Sequence, residues 1–380
     1  MQQTPFRLPS MPQAAPVSAR AVHRAVGEIR RGVAVLIRDG AGHRMAALPA
    51  ETATEDTLGE FLGVVATSPV LVLALSRAFG GRIGGLPLPG AADMAAFALD
   101  ASLLGAESLR ALADPTVRQM PDSLMRLASP AEVAPHLAEA ALQLAKLGRL
   151  LPAMLMGAAQ PGDQPGALLE VAASDVLAYP MAAAEILVRA AEARVPLDGA
   201  QDTRIVAFRP PDGGIEHLAI LIGQPEKADA PLVRVHSECF TGDLLGSRRC
   251  DCGPQLHQAI RRMAAEGAGV LLYMAQEGRG IGLVNKLRAY TLQDRGMDTL
   301  DANHALGYGA DERSFVAAAT MLHEFGIRRI RLLTNNPDKI AALTAHGIEV
   351  AGRVSHAIAA NGENDLYLET KARRFGHFLT

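Results

Sequence analysis

Cys239-Phe-Thr-Gly-Asp-Leu-Leu-Gly-Ser-Arg-Arg-Cys250-Asp-Cys252-Gly253 contains all three cysteines of a 380-residue chain. Glu238, Asp243, Asp251 and two arginines accompany them. Thiols that serve only as small buried groups scatter among apolar neighbours, whereas these sit among Gly, Ser, Arg and Asp. That setting points to a metal. Three protein ligands suit a catalytic zinc ion, whose fourth position holds a water with its pKa lowered to roughly 7. A closed structural site would need a fourth ligand, for which His236 and His257 are candidates. A disulfide between Cys250 and Cys252 would be strained by having a single residue between them.

The rest of the chain narrows the function classes. Its length favours two domains over one core. Hydrophobic residues make up 49% and charged residues 20%, as in ordinary globular proteins. A net charge of -3, 4% aromatic residues and no Trp supply neither the basic surface nor the stacking platforms of a nucleic-acid binder. No run approaches the ~20 apolar residues that span a bilayer, so a membrane is not an expected partner either. Met1–Ala19 is rich in Pro, Gln and Ser, lacks the basic start and apolar run of a secretory signal, and reads as a disordered leader. An odd number of thiols without an export signal fits a reducing cytoplasm.

Periodicity predicts an α/β (α+β) protein of two mixed domains. Val22, Val26 and Ile29 mark a helix that Gly32 ends, and Val33–Ile37 suits a buried strand. Helical spacing recurs over His136–Leu150 and Ala182–Ala193. The pattern loosens over Leu197–Asp202, which divides the chain into 20–199 and 200–380. Arg204–Phe208 and His217–Ile222 read as antiparallel strands about a Pro- and Gly-rich turn. Leu232–His236 is a strand, and alternation along it places Arg234, His236 and Glu238 on one face. Further on come a helix opened by Pro254, a strand Val270–Met274, helices Leu283–Asp294 and Glu312–Phe325, a strand Arg329–Thr334 and a helix Asp338–Ala345. Glu277-Gly278-Arg279-Gly-Ile-Gly282 has charges where a dinucleotide-binding turn needs glycine, and reads instead as a backbone cradle for phosphates with Arg279. Asp311 reads either as a helix N-cap or as a proton acceptor with Arg313 beside it, and spacing leaves both open.

The successive segments RVHSECFTGDLLGSRRCDCG, YMAQEGRGIGLVNKLRAYTLQD, DTLDANHALGYGADER and RLLTNNPDK resemble GTP cyclohydrolase II in order and spacing. The match runs over Asp202–Leu379, and its Cys-x10-Cys-x-Cys element is highly specific. The resemblance implies an enzyme that opens the imidazole ring of GTP, releases C8 as formate and cleaves off pyrophosphate. The product is a phosphoribosylated diaminopyrimidinone, the start of riboflavin synthesis. It implies Cys239, Cys250 and Cys252 as Zn2+ ligands, Mg2+ on the triphosphate, and a homodimer. Arg234, Val235, His236, Ser237, Glu238, Gln255, Glu277, Gly278, Arg279, Thr299, Thr334 and Lys339 fall at nucleotide-binding positions. Asp311 and Arg313 fall at the proton-acceptor and nucleophile positions, and Tyr290 at a tyrosine implicated in turnover. Guanine's N–H donors call for a carboxylate such as Glu277, and the phosphates for Arg and Lys. Two other readings stay open: a related nucleotide ring-opening enzyme of another pathway, and a zinc- and nucleotide-binding regulatory module without turnover.

The first half is similar to dihydroxybutanone phosphate synthase, the usual N-terminal partner in fused riboflavin enzymes. That family binds magnesium and sugar phosphate on an acid-rich loop after its first strand. Here Asp39 is the only acid of that loop before Glu51. Leu137-Ala138-Glu139 stands where the family has His-Thr-Glu, and His136, one place out of register, is expected to point elsewhere. The domain therefore reads as a degenerate, inactive relative.

Overall fold

The computed structural model describes residues 17–74, 94–117, 128–162, 168–358, 361–364, 369 and 373–374. Residues 1–16 of the expected leader lie outside them, and its last residues already belong to a helix. The first sheet is made of β1 (Val35–Arg38), β2 (Arg44–Pro49), β3 (Val70–Ala74), β4 (Met94–Leu99), β5 (Ala128–Pro130), β6 (Ala153–Ala158) and β7 (Glu170–Ala172). Its order is β5-β4-β3-β6-β2-β1-β7, antiparallel except where β1 meets β7. Period-two alternation sorts its apolar residues onto two faces. Val35, Ile37, Ala47, Val72 and Met154 share one cluster with α1 (Val17–Arg30), while Leu36, Leu48, Leu71, Leu73 and Leu155 share another with α2 (Glu55–Val64) and α3 (Ala106–Ala113). On the first of these faces lie also α4 (Pro135–Leu147) and the start of α5 (Ala173–Glu185). Val22 and Ile29 are buried as the sequence predicts, and Gly32 ends α1 at φ +78°, where any Cβ would strike the Thr52 carbonyl.

The second sheet is made of β8 (Val188–Arg194), β9 (Thr203–Arg209), β10 (His217–Gly223), β11 (Leu232–Ser237), β12 (Ala268–Met274), β13 (Arg329–Leu333) and β14 (Glu349–Val354), in the order β14-β13-β11-β12-β10-β9-β8. Its helices are α6 (Cys252–Glu266), α7 (Leu283–Gln293), α8 (Thr299–Ala305), α9 (Val316–Glu324) and α10 (Pro337–Ala345). The chain crosses between the sheets along α5, where Val176 joins the first core and Ala184 packs on the second. This crossing comes before Ala200, because the predicted helix Ala182–Ala193 stops at Glu185 and its remainder becomes the edge strand β8. Helix propensities differ by only tenths of a kcal/mol per residue, and pairing along β9 prevails over them.

Strands β13, β11 and β12 are neighbours and mutually parallel, so their carboxyl ends leave the sheet at one edge. In open α/β sheets that edge is where ligands bind. The loops after these three strands begin at Glu238, Ala275 and Thr334. Of the residues singled out from the sequence they carry Glu238, Cys239, Cys250, Glu277, Gly278, Arg279 and Thr334.

The two sheets do not have separate cores. Ile281, Ala289, Leu292, Ala302, Ala305, Leu306 and Tyr308 from the second half are buried in one cluster with Leu48, Phe61, Leu71, Leu73 and Leu155 of the first. Helices α7 and α8 thus lie against a face of the first sheet. The Tyr308 hydroxyl donates to the Leu150 carbonyl at 2.6 Å and accepts from Asn285 Nδ2 at 2.9 Å, which satisfies the polar end of a fully buried ring. Leu292→Ala should therefore destabilise the protein by about 2–5 kcal/mol. Hydrogen-exchange mass spectrometry should find protection lost in β3 and β6 as well as in α7, whereas loss confined to α7 would mean that the cores are independent.

Candidate active site

Cys239 lies just past the carboxyl end of β11 and Cys252 begins α6, so a strand end and a helix start bring the thiols together. The three sulfurs lie within 4.8 Å of one another, with Cys239 and Cys250 3.7 Å apart and none in a disulfide. No His or carboxylate completes the set among the described residues, which removes His236 and His257 as fourth ligands. Asp243 anchors the loop: its carboxylate accepts from Cys239 N–H at 3.0 Å, Tyr273 OH at 2.9 Å and His236 Nε2 at 3.1 Å. Gly242 leaves room for the cluster, since a Cβ there would stand 2.8 Å from Cys250 Sγ and 3.0 Å from Cys239 Sγ. Hydrogen bonds from the other two thiols, aided by Lys286, hold the Cys239 pKa far below its usual value. The Cys239 thiolate in turn pushes Cys250 up to about 11. A thiolate within a close, open-sided set of thiols is a donor set for a soft or borderline cation.

The thiols open into a cavity of about 270 Å³ at the carboxyl edge of the sheet. Of the residues predicted to bind nucleotide, Arg234, His236, Ser237, Glu238, Gln255, Glu277, Gly278, Arg279, Thr299, Thr334 and Lys339 line it, together with Tyr290 and Arg313. Val235 does not: its side chain is buried in the core on the opposite face of β11, and only its carbonyl contributes, accepting from Lys339 Nζ at 2.7 Å. Arg234 is buried beside Gln255 and donates to the Leu333 carbonyl at 3.2 Å. Burial lowers its pKa to about 10, against the pull of Asp251, and it stays charged at neutral pH. Arg234 Nε and His236 Nδ1 are buried with no hydrogen-bond partner among the described residues. Orphaned polar atoms of this kind mark a site shaped for something that binds.

At two of the predicted residues the structure shows partners that the sequence did not. The Glu277 carboxylate, expected to face a base edge, accepts from Phe240 N–H at 2.6 Å, Lys286 Nζ at 2.8 Å and Gly278 N–H at 3.0 Å. It braces the thiol loop. Glu238 is the cavity carboxylate with no side-chain hydrogen bond among the described residues, and burial, reinforced by Glu277, raises its pKa. The second of these residues is Asp311. The helix predicted from Glu312 begins only at Val316, and Asp311 accepts instead from Arg313 N–H at 3.1 Å and from Arg313 Nε at 2.8 Å. It is therefore not an N-cap. Burial opposes its charge, but Arg313, with Arg279 nearby, holds its pKa below the usual carboxylate range. Asp311 does not itself line the cavity; it holds Arg313, whose Nη1 reaches Ser237 Oγ at 3.4 Å.

Other cavity residues were not singled out from the sequence: Lys286, Arg249, Asn303, Asn335, Asn336 and His356. Lys286 had a usable signal, since it sits four residues before Tyr290 and shares its helix face. Its ammonium bonds Cys239 Sγ at 3.0 Å and Thr241 Oγ1 at 3.1 Å. Arg249 lies over the Tyr290 ring at 4.6 Å.

The family model for GTP cyclohydrolase II matches residues 188–355. GTP cyclohydrolase-2 of Azospirillum brasilense is 47% identical over 378 residues, covering 95% of this chain and 94% of that one. The chain belongs to the GTP cyclohydrolase II family. A second member, GTP cyclohydrolase-2 of Pasteurella multocida, is 50% identical over 192 residues, half of this chain but 87% of its own length, which leaves it no room for a comparable first half. The riboflavin biosynthesis protein RibBA of Parabacteroides distasonis is 40% identical over 299 residues, 72% of each chain, a match longer than the second half alone can hold. Among solved structures, RibBX of A. baumannii, described as a two-domain 3,4-dihydroxy-2-butanone 4-phosphate synthase, covers 89% of this chain at 16% identity and a TM-score of 0.32. So distant a likeness carries no functional weight.

In this family member the first half has a cavity of its own, of about 260 Å³, lined by Arg38, Asp39, Gly40, His136 and Ser174 among others. His136, expected to point elsewhere, turns into it: Nε2 lies 3.1 Å from Asp39 Oδ2, opposite His43 Nδ1 at 2.7 Å. The one acid of the loop is thereby held by two imidazoles. Among the described residues only the thiols form a group able to hold a metal. No helix among them is long and apolar enough to cross a membrane.

Two substitutions test whether the thiol cluster holds a metal. Cys250→Ser removes one of the three thiols and should abolish metal retention, read by elemental analysis of purified protein. Gly242→Ala removes no ligand, yet its methyl intrudes on two sulfurs and should lower metal content as well. Full occupancy in Gly242→Ala would mean that the loop is not the tight cradle described.

Proposed function

We propose that this chain carries out the reaction of its family: hydrolysis of GTP that opens the imidazole ring, with release of formate and pyrophosphate, at the entry to riboflavin biosynthesis. The observation that supports this best is that the thiol cluster opens into the same cavity as Arg234, Arg279, Arg313 and Lys339. A metal centre that can activate water and a set of cations for a triphosphate thus share one space. In this reading Cys239, Cys250 and Cys252 would hold Zn2+, which would supply Lewis-acid activation of water. Mg2+ accompanies the triphosphate. The reducing cytoplasm is the setting that keeps the thiols available.

The roles of the chain's own residues follow from their partners. Arg279 sits at φ +62° in the turn Gly278–Gly280, a left-handed conformation that a non-glycine residue holds only when its surroundings enforce it. Together with Lys339 and Arg313 it receives phosphate oxygens. Glu238, left open in the cavity, takes the N–H donors of the guanine edge, while Glu277 and Lys286 keep the thiol loop in place. Asp311, ionised at neutral pH, accepts a proton and orients Arg313 at the phosphate. Tyr290 stays protonated, because burial raises its pKa despite Lys286 nearby.

The enzyme is proposed to work as a homodimer. Phe240, Leu244 and Leu245 on the metal loop and Val284 and Leu287 on α7 are exposed large apolar residues, and the Lys286–Thr241 hydrogen bond ties the two segments together. Such a patch suits a second copy of the chain. The first half is proposed to be a catalytically silent domain, since its loop offers one acid already paired with His43 and His136.

Incubation of the metal-loaded protein with GTP should release formate and pyrophosphate, and absence of both would overturn the proposal. Asp311→Asn should lower kcat by about a hundredfold or more with metal content and GTP affinity kept, the pattern of a residue that acts in the chemistry. Glu238→Gln should weaken the preference for GTP over ATP, whereas Glu277→Gln should chiefly lower metal retention. If the two variants exchange these phenotypes, Glu277 rather than Glu238 reads the base.

A further inference from the structure

One corner of the first domain, Lys146–Leu151 between α4 and β6, reaches two loops of the proposed active site. Lys146 Nζ lies 2.7 Å from Glu312 Oε1, which also accepts from Gly309 N–H at 2.6 Å. Glu312 is the residue between Asp311 and Arg313, and its own N–H donates to the Arg279 carbonyl at 3.1 Å. Three residues on from Lys146, Arg149 Nη2 donates to the Ala275 carbonyl at 3.2 Å, where the loop bearing Glu277 and Arg279 begins. The Arg149 carbonyl accepts from Asn285 Nδ2 at 3.0 Å, and its backbone is left-handed at φ +58°. Gly282, at φ +87°, lies flush against the Arg149 side chain, where a Cβ would come within 3.1 Å. The two loops also meet each other, since a Cβ on Gly280 would stand 3.0 Å from the Glu312 carbonyl oxygen.

We propose that the Lys146–Leu151 corner positions the Asp311–Arg313 segment and the Arg279 turn for the reaction, with Lys146 as the positioning residue that fixes Glu312. The inference rests on the reading that Asp311 and Arg313 act on the nucleotide. Lys146 lines neither the cavity nor the thiol cluster; its ammonium lies 5.9 Å over the Tyr308 ring, and it reaches the Asp311–Arg313 segment through Glu312. Removing its ammonium leaves the Glu312 carboxylate, a quarter exposed, free to leave Gly309 and draw its neighbours with it. Displacements of about an ångström at a reacting group cost up to ~100-fold in rate. The domains remain joined without Lys146, because the shared core persists and Arg288 on α7 bonds both Glu51, at 2.9 Å, and Asp114, at 2.8 Å. Positioning and stability can therefore be measured apart.

The experiment compares formate release from GTP, metal content and melting temperature for full-length Lys146→Met, Lys146→Arg, Glu312→Gln and the Lys146→Met/Glu312→Gln double variant. In Lys146→Met, kcat should fall roughly tenfold with KM within about twofold, and metal content and melting temperature should be kept. Lys146→Arg should recover most of the loss. The double variant should be no slower than the slower single variant, because both substitutions cut the same link. Parent kcat in Lys146→Met, no recovery in Lys146→Arg, losses that multiply in the double variant, or loss of metal or fold in place of a kcat effect would each overturn the proposal. If Asp311→Asn is inactive while Lys146→Met turns over like the parent, positioning alone fails. Parent turnover in Asp311→Asn would remove the underlying assignment instead.

Discussion

Much of this molecule depends on how one carboxylate closes a loop. Three thiols contributed by a strand end, a turn and a helix start have no tendency to meet, and the chain between Cys239 and Cys250 must fold back to bring them together. Asp243 does this by accepting at once from the Cys239 amide, the Tyr273 hydroxyl and His236. All these groups are partly or fully buried, so the carboxylate's bonds are made where water cannot compete. Glu277 does the same from the other side, receiving the Phe240 amide and the Lys286 ammonium. The loop is thus fixed by two acids that are themselves fixed by strands β11 and β12. The cavity inherits its shape from the sheet.

That inheritance explains why so much of the site was legible in the sequence. The thiols fall within one loop, so no long-range pairing had to be guessed. Alternation along β11 places Arg234, His236 and Glu238 on one side, and all three line the cavity. What the sequence hid was direction and commitment. An Asp two residues before an Arg looks the same whether it caps a helix or grips the Arg, and only the late start of α9 distinguishes them. Val235 sits within the motif but belongs to the core, and Glu277 is an acid in the right place whose oxygens are already occupied.

The larger misreadings have one physical source, contacts between residues far apart in the chain. The Ala-rich run that becomes β8 is a good helix in isolation, and its fate is decided by β9. His136 meets Asp39 across a separation that no periodicity encodes. The burial of α7 and α8 against the first sheet is of the same kind. Their apolar residues were visible as a pattern, but nothing in that pattern named the surface that would cover them.

That cover divides the first domain into regions with very different tolerance to change. The cavity around Asp39 and Gly40 is lined by residues of the first half alone. On β3 and β6, Leu71, Leu73 and Leu155 form a floor beneath the helices that carry Tyr290 and Thr299. A substitution on that floor is therefore felt in two places at once, in the packing of the first sheet and in the placement of the helices that line the cavity of the second half.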